Sequence, residues 1–166
     1  GEHYFYLNFC QISLKLSNKA ATIEELTSKK QRVETAVTFP DFWDSDWFYF
    51  TECKRAEDIG LHMIVLKPRR RGYSYKNAAK CAHTYSFSKS MANSLILAED
   101  KKYSEETMRM AVSYLDFINR FTGFARQRQH INKPREMVQA SYEEITADGR
   151  KLPGGSMSRI MQYSTL

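Results

Sequence analysis

The chain has 166 residues, 42% of them hydrophobic and 27% charged, enough for one domain with a buried core and too apolar for wholesale disorder. A net charge of +6 favours a polyanionic partner. No apolar run is long enough to cross a bilayer, and the opening GEHYFYLNFCQ lacks the basic-then-apolar order of a secretory signal.

The predicted elements follow in chain order. Residues 3–16 are aromatic-rich and then alternate, a pattern that leaves helix and strand open. Residues 20–30 (AATIEELTSKK) read as an exposed helix. TFPDFW breaks the chain at Pro40. Residues 44–58 then predict a helix capped by Asp44 or Ser45, with Trp47, Phe50, Lys54 and Asp58 at helical spacing. LHMIVL (61–66) reads as a short buried strand. Residues 74–90 carry Ala78, Cys81, Ala82 and Tyr85 at i, i+3, i+4 and i+7, one small-residue face suited to a sheet. NSLILA (93–98) predicts a second buried strand. Residues 104–120 give the clearest helix, capped by Ser104 and striped by Met108, Ala111, Val112, Leu115 and Ile118. Strands are expected over 137–145 and 156–163, around the turn ADGRKLPGGS. Strand–loop–helix–strand–helix–strand predicts an α/β fold, with a largely parallel sheet and a site at the carboxyl ends of its strands.

Cys10, Cys53 and Cys81 are odd in number and widely spaced, so they read as reduced, mostly buried thiols of a cytoplasmic protein. His3, His62, His83 and His130 show no metal-ligand spacing. The abrupt start at Gly1 and the strand-like end SRIMQYSTL are what an incomplete module would show, with a core face for something else to cover.

The chemistry concentrates in KPRRRGYSYK (67–76), where Lys67, Arg69, Arg70, Arg71 and Lys76 put five cations within ten residues. A phosphate-binding loop needs converging backbone N–H groups, a cation that reaches the phosphates, and a hydroxyl for magnesium. On the GxxxxGK[ST] frame, Lys67 takes the first glycine's place, Gly72 the second's, Tyr73 the lysine's and Ser74 the hydroxyl's. The strand before and the helix after are the context this mechanism requires. A basic turn without ligand and a loop for nucleic-acid phosphates are the alternatives.

The arrangement resembles the large terminase subunits, the DNA-packaging motors of tailed phages. A lambda-like subset of these carries a deviant loop, K-x-x-R-x-G-Y-S, with its lysine moved to the front, and KPRRRGYS matches it at every specified position. The resemblance implies an ASCE/RecA-like P-loop NTPase core binding ATP and Mg2+. In it Lys67 reaches back to the β- and γ-phosphates, and Arg70 takes the subset's arginine position. Arg69 matches the arginine of the commoner loop. Gly72, Tyr73, Ser74, Tyr75 and Lys76 complete the cofactor-binding turn, with the Ser74 hydroxyl on Mg2+.

YFYLNFC and FPDFWDSDWFYFTECKRA resemble the upstream aromatic segment that helps hold adenine, although Trp43, Trp47, Phe48 and Tyr49 each read first as core packing. Residues 1–60 would be this adenine side, and 61–166 the P-loop core of one incomplete domain. The acidic Walker B motif and the nuclease domain would lie further on. LILAED imitates an acidic strand, but Glu99 and Asp100 precede a helix start and read first as solvated end-of-strand charges.

The resemblance further implies an ATPase that drives double-stranded DNA into a procapsid as a homo-oligomeric ring. Its partners would be a portal protein and a small terminase subunit, its place the cytoplasm of the infected bacterial host, with no membrane partner. The isolated chain should bind nucleotide weakly and hydrolyse it poorly. Two other classes stay open: a basic nucleic-acid-binding module without hydrolysis, and another P-loop motor such as a helicase. Arg120, Arg126, Arg128, Lys133 and Arg135 form a basic stretch that can touch a DNA backbone or simply be solvated.

Overall fold

The structure is a computed structural model that describes residues 1–15, 35–68, 71–88, 91–123, 126, 128 and 136–165. The expected helix over 20–30 lies outside these residues. Helix α1 spans Glu2–Phe9 and strand β1 Ile12–Lys15, so the aromatic half of the opening segment is helical and the alternating half extended. Strand β2 (Thr35–Thr38) pairs with β1 antiparallel, Ile12 opposite Thr38.

Helix α2 spans Asp44–Asp58, the predicted limits, but it starts from Trp43 without a side-chain cap. Its end is a Schellman motif. Gly60 is left-handed at φ 70°, the Leu61 N–H donates to the Ala56 carbonyl at 2.8 Å, and the Gly60 N–H to that of Glu57 at 3.1 Å. The buried face of α2 is Asp46, Tyr49, Phe50 and Cys53. Trp47 is therefore on the outer side, against the expected spacing.

The expected strand over 61–66 does not form. An extended segment needs a neighbour for its backbone groups, and among the described residues these six pair with no strand. Leu61, Ile64 and Leu66 are exposed, Leu66 by 94%. Met63 alone of this run packs against the core cluster.

Helix α3 (Tyr73–Phe87) buries Ala78, Ala79, Ala82 and Tyr85, close to the small-residue face expected. Strand β3 (Asn93–Ala98) forms where predicted, yet Leu95 and Leu97 are more than half exposed and only Ile96 is buried. Its ladder explains this. β3 pairs on one side with β7 (Arg159–Ser164), parallel, and in the described residues its other edge carries no strand. Helix α4 (Lys101–Phe121) starts earlier than expected, because Asp100 caps it by accepting from the Lys102 N–H at 2.8 Å. Ser104 sits inside the helix, where its hydroxyl meets Gln162 Oε1 at 2.5 Å in the core.

The expected strand over 137–145 is broken in two: β4 (Met137–Gln139) pairs antiparallel with β7, and β5 (Tyr142–Ile145) turns away to pair with β6 (Lys151–Gly154). Four residues of the expected turn are thus β6. Gly155, at φ 102°, lets the chain pass the Ala140 carbonyl where a Cβ would lie 2.8 Å from the oxygen.

The fold is mixed α/β. The central sheet has order β3–β7–β4, and of the four described pairings only β3–β7 is parallel, less than the largely parallel sheet expected. Helices α3 and α4 pack on each other and on the sheet, α1 packs on α3 and α2 on α1, and α2 reaches α3 through the side chains of Asp46 and Tyr49. Tyr85, Tyr114, Met108, Ile118 and Ile160 are the large side chains at the centre. No described helix is long and apolar enough to cross a membrane.

Candidate phosphate-binding site

The turn before α3 carries the site. Gly72 is the helix N-cap in the left-handed region, φ 69° and ψ 14°, a conformation cheap only for glycine. The first helical bond runs from the Lys76 N–H to the Gly72 carbonyl at 3.2 Å, so the N–H groups of Tyr73, Ser74 and Tyr75 precede the ladder. Among the described residues no side chain caps them, and no acid stands in the first turn. The helix dipole is therefore left open to an anion.

The predicted residues divide into two groups. Lys67, Tyr73 and Ser74 line one cavity of about 780 Å³, which extends to the exposed face of β3 at Leu95 and Leu97 and to the start of α4 at Tyr103. Lys67 and Ser74 are exposed, and Tyr73 is half-buried. The Lys67 ammonium lies 5.7 Å from the centre of the Tyr73 ring, within cation–π reach. Arg71 is exposed beside Gly72, whereas Arg69 and Arg70 lie outside the described residues.

Tyr75 and Lys76 face inward. The Tyr75 hydroxyl accepts from the Ser13 N–H at 3.4 Å, tying α3 to β1. The Lys76 ammonium is ion-paired with Asp46 of α2, and the two side chains are 4% and 8% exposed. That ammonium also lies 4.2 Å from the Tyr73 ring centre and 5.8 Å from that of Tyr49. Tyr49 meets Tyr73 edge-on at 5.2 Å and donates its hydroxyl to Asn77 Oδ1 at 2.8 Å. Of the two lysines bracketing the turn, Lys67 is thus open to the cavity, and Lys76 has its charge already matched.

Asp46 was not singled out by sequence. Its signal is there: an acid at position 46 on a face otherwise made of Tyr49, Phe50 and Cys53 is a buried charge that needs a partner. His3 belongs to the same neighbourhood, stacked 5.5 Å from Phe50. Burial holds its pKa below the ordinary 6.5, with Asp46 opposing and Lys76 adding to the shift.

The other candidates separate cleanly. Asp100 is a helix cap, as above, and Glu99 is exposed at the end of β3. Trp43, Trp47 and Phe48 are exposed, contrary to a core role, because the buried face of α2 turns the other way; Tyr49 alone of the four is core. Trp47 borders a second, open cavity with Phe50, His83 and Phe87. Arg126 donates to the Ser88 carbonyl and reaches Ser158 Oγ at 3.4 Å, and Arg128 pairs with Asp116 at 2.5 Å. Arg120 lies over Phe121. Lys133 and Arg135 lie outside the described residues.

Cys10, Cys53 and Cys81 are free thiols; burial raises the pKa of Cys10, and that of Cys81 to about 11, which keeps both protonated. Among the described residues no group of three His, Cys, Asp or Glu side chains could hold a metal. Ser74, exposed where it lines the cavity, would supply a hydroxyl oxygen to a magnesium ion, a hard cation that takes oxygen ligands. Comparison of the chain with protein-family models, characterised proteins and solved structures returns no match.

Proposed function

We propose that this chain binds MgATP through the turn at residues 67–74, as the nucleotide-binding part of a DNA-packaging ATPase of the large-terminase type. One observation carries the reading: Lys67 and the first helical residues of α3, Tyr73 and Ser74, line one cavity. In this reading Lys67 contacts the β- and γ-phosphates, the N–H groups after Gly72 cradle them, and Ser74 holds Mg2+, which neutralises phosphate charge when bound. Arg70 and Arg69 stand beside Lys67 in sequence and would add positive charge. The mixed α/β class and the parallel β3–β7 pair are what this reading draws on; β4, β5 and β6 come between α4 and β7 in the chain, and no strand forms at 61–66 among the described residues.

Of the two described carboxylates on this cavity, Glu57 is ion-paired with Lys80 at 2.7 Å and Glu106 is exposed. The proposed activity of this chain is binding with slow hydrolysis, because the terminase reading puts the acidic motif further on. Double-stranded DNA, a portal protein, a small subunit, a ring of copies and the host cytoplasm follow from the terminase reading and are proposed with it. A helicase-type motor would share the phosphate turn; the KxxRxGYS order favours the packaging motor. A basic nucleic-acid module would hold phosphate with the same arginine loop, of which Arg71 is exposed; in the later basic stretch, Arg126 and Arg128 are held by Ser88 and Asp116.

Calorimetric titration of the chain with MgATP tests the proposal. Saturable binding that requires the triphosphate is expected. No heat of binding up to millimolar MgATP, by a chain whose circular dichroism and melting are cooperative, would overturn it.

A further inference from the structure

In this turn the position where a phosphate loop usually has its lysine is filled by Tyr73, and two ammonium groups approach the same ring. Lys76 comes to 4.2 Å of the ring centre and Lys67 to 5.7 Å. Only the first is buried, and Asp46 fixes it there. Tyr49, anchored through Asn77, closes the ring edge-on. The ring is thus held by two core groups, Lys76 and Tyr49, and among the described residues it also meets the exposed side chain of Lys67.

We propose that Tyr73 is a positioning residue: fixed by the buried Asp46–Lys76 pair, its ring holds the Lys67 ammonium at the mouth of the phosphate cavity. The same geometry accounts for the missing lysine. A lysine at position 73 would bring a second ammonium beside that of Lys76, where like charges in a poorly solvated site repel. An aromatic ring accepts Lys76 on its π-system instead, and the phosphate-binding cation comes from the front of the loop. Tyr73 then restricts the rotamers of Lys67, whose long side chain otherwise loses its freedom only when ligand binds.

The inference rests on the reading of this turn as a phosphate site, and the test separates the two. Lysine ε-methylene resonances of the chain are assigned with the aid of Lys67→Arg, and MgATP affinity is measured on wild type, Tyr73→Leu and Tyr73→Phe. The ring current of Tyr73 is expected to displace the Lys67 signal upfield in wild type and in Tyr73→Phe, and not in Tyr73→Leu. Tyr73→Leu is expected to bind MgATP about fivefold more weakly, the size of one solvent-accessible cation–π contact. Tyr73→Phe, which keeps the ring and loses the hydroxyl, is expected to bind like wild type.

A random-coil Lys67 signal in a wild type that binds MgATP overturns the positioning role alone. So does equal MgATP affinity in Tyr73→Leu and wild type, or an equal loss in Tyr73→Phe and Tyr73→Leu. A displaced Lys67 signal in a wild type that binds no MgATP overturns the nucleotide reading itself, and the positioning role with it. If Tyr73→Leu does not fold, nuclear Overhauser contacts between the Lys67 ε-methylene and the Tyr73 ring protons in wild type give the test on a folded chain. Their presence is expected. Their absence in a wild type that binds MgATP overturns the positioning role.

Discussion

Lys76→Met and Asp46→Asn should destabilise the chain by unequal amounts, and the inequality is set by what each leaves behind. Their side chains are 4% and 8% exposed, so neither charge can turn to water. Breaking a buried pair from one side costs about 3–5 kcal/mol, because the survivor remains desolvated. After Asp46→Asn, the Lys76 ammonium still meets the Tyr73 ring at 4.2 Å and the Tyr49 ring at 5.8 Å. Such contacts can return about 1–2 kcal/mol at a desolvated site. After Lys76→Met, the Asp46 carboxylate keeps the Ser45 hydroxyl at 3.3 Å, a weak partner for a full charge.

The expected losses are therefore about 4 kcal/mol for Lys76→Met and about 2–3 kcal/mol for Asp46→Asn. The double variant removes both charges at similar volume and should lie within about 1 kcal/mol of wild type. Urea unfolding of the four proteins gives the cycle, with an expected coupling above about 2 kcal/mol. For a chain of this length, Lys76→Met should melt roughly 8–16 °C lower. Single variants within about 0.5 kcal/mol of wild type would refute the buried pair. So would a double variant as unstable as the sum of the singles.

Three further outcomes follow from the same structure. Tyr114 is 1% exposed and its hydroxyl has no hydrogen-bond partner among the described residues, so Tyr114→Phe should raise stability by about 1 kcal/mol in denaturant unfolding; a loss would mean that the hydroxyl is satisfied. Gly155→Ala should cost more than Gly72→Ala. The left-handed backbone at Gly72 alone costs alanine about 1–2 kcal/mol, and its Cβ would find only the Tyr6 hydroxyl at 4.0 Å, whereas at Gly155 it would also meet the Ala140 carbonyl at 2.8 Å. Equal melting temperatures for the two would contradict that contact. His3 and His83 both have pKa values lowered by burial, so the unfolded chain binds more protons than the folded one below the ordinary value of 6.5. Their contribution is complete above that pH and is lost as pH falls through the depressed folded values. The urea midpoint should therefore drop between pH 7.5 and 5.5, and less so in His3→Gln. Glu2, whose pKa is raised by burial, works in the opposite sense just above 4.5 and does not cancel a loss that starts near 6.5. An unchanged midpoint over this interval would contradict the buried state of the histidines.

Local signals were the legible part. Pro40 and the run from Asp44 located α2 to the residue, and NSLILA located β3, because break, periodicity and strand propensity all act within a few residues. The α/β class followed from their order. Partnership was not legible. LHMIVL has the composition of a buried strand, but composition does not provide a neighbouring ladder, and in the described residues it flanks the cavity opposite Leu95 and Leu97. Asp46 and Lys76 are 30 positions apart in the sequence, and only the packing of α2 beside α3 makes them a pair. The site was half legible for the same reason. The spacing grouped Lys67, Tyr73 and Ser74, which line one cavity, but it could not tell that Lys76 is paired with Asp46, nor that Trp43, Trp47 and Phe48 face outward.

The displaced cation is the centre of the account, and MgATP titration of Lys67→Ala beside the double variant Asp46→Asn/Lys76→Met tests it most directly. The double variant is needed because Lys76→Ala alone would strand a buried carboxylate and confuse folding with binding. Loss of one charge-assisted contact should weaken MgATP by about tenfold or more in Lys67→Ala. The double variant should stay within about fivefold of wild type, since it disturbs the ring that positions Lys67 and removes no phosphate ligand. Wild-type affinity in Lys67→Ala, with binding lost in a folded double variant, would contradict the account and place the phosphate-binding cation at Lys76.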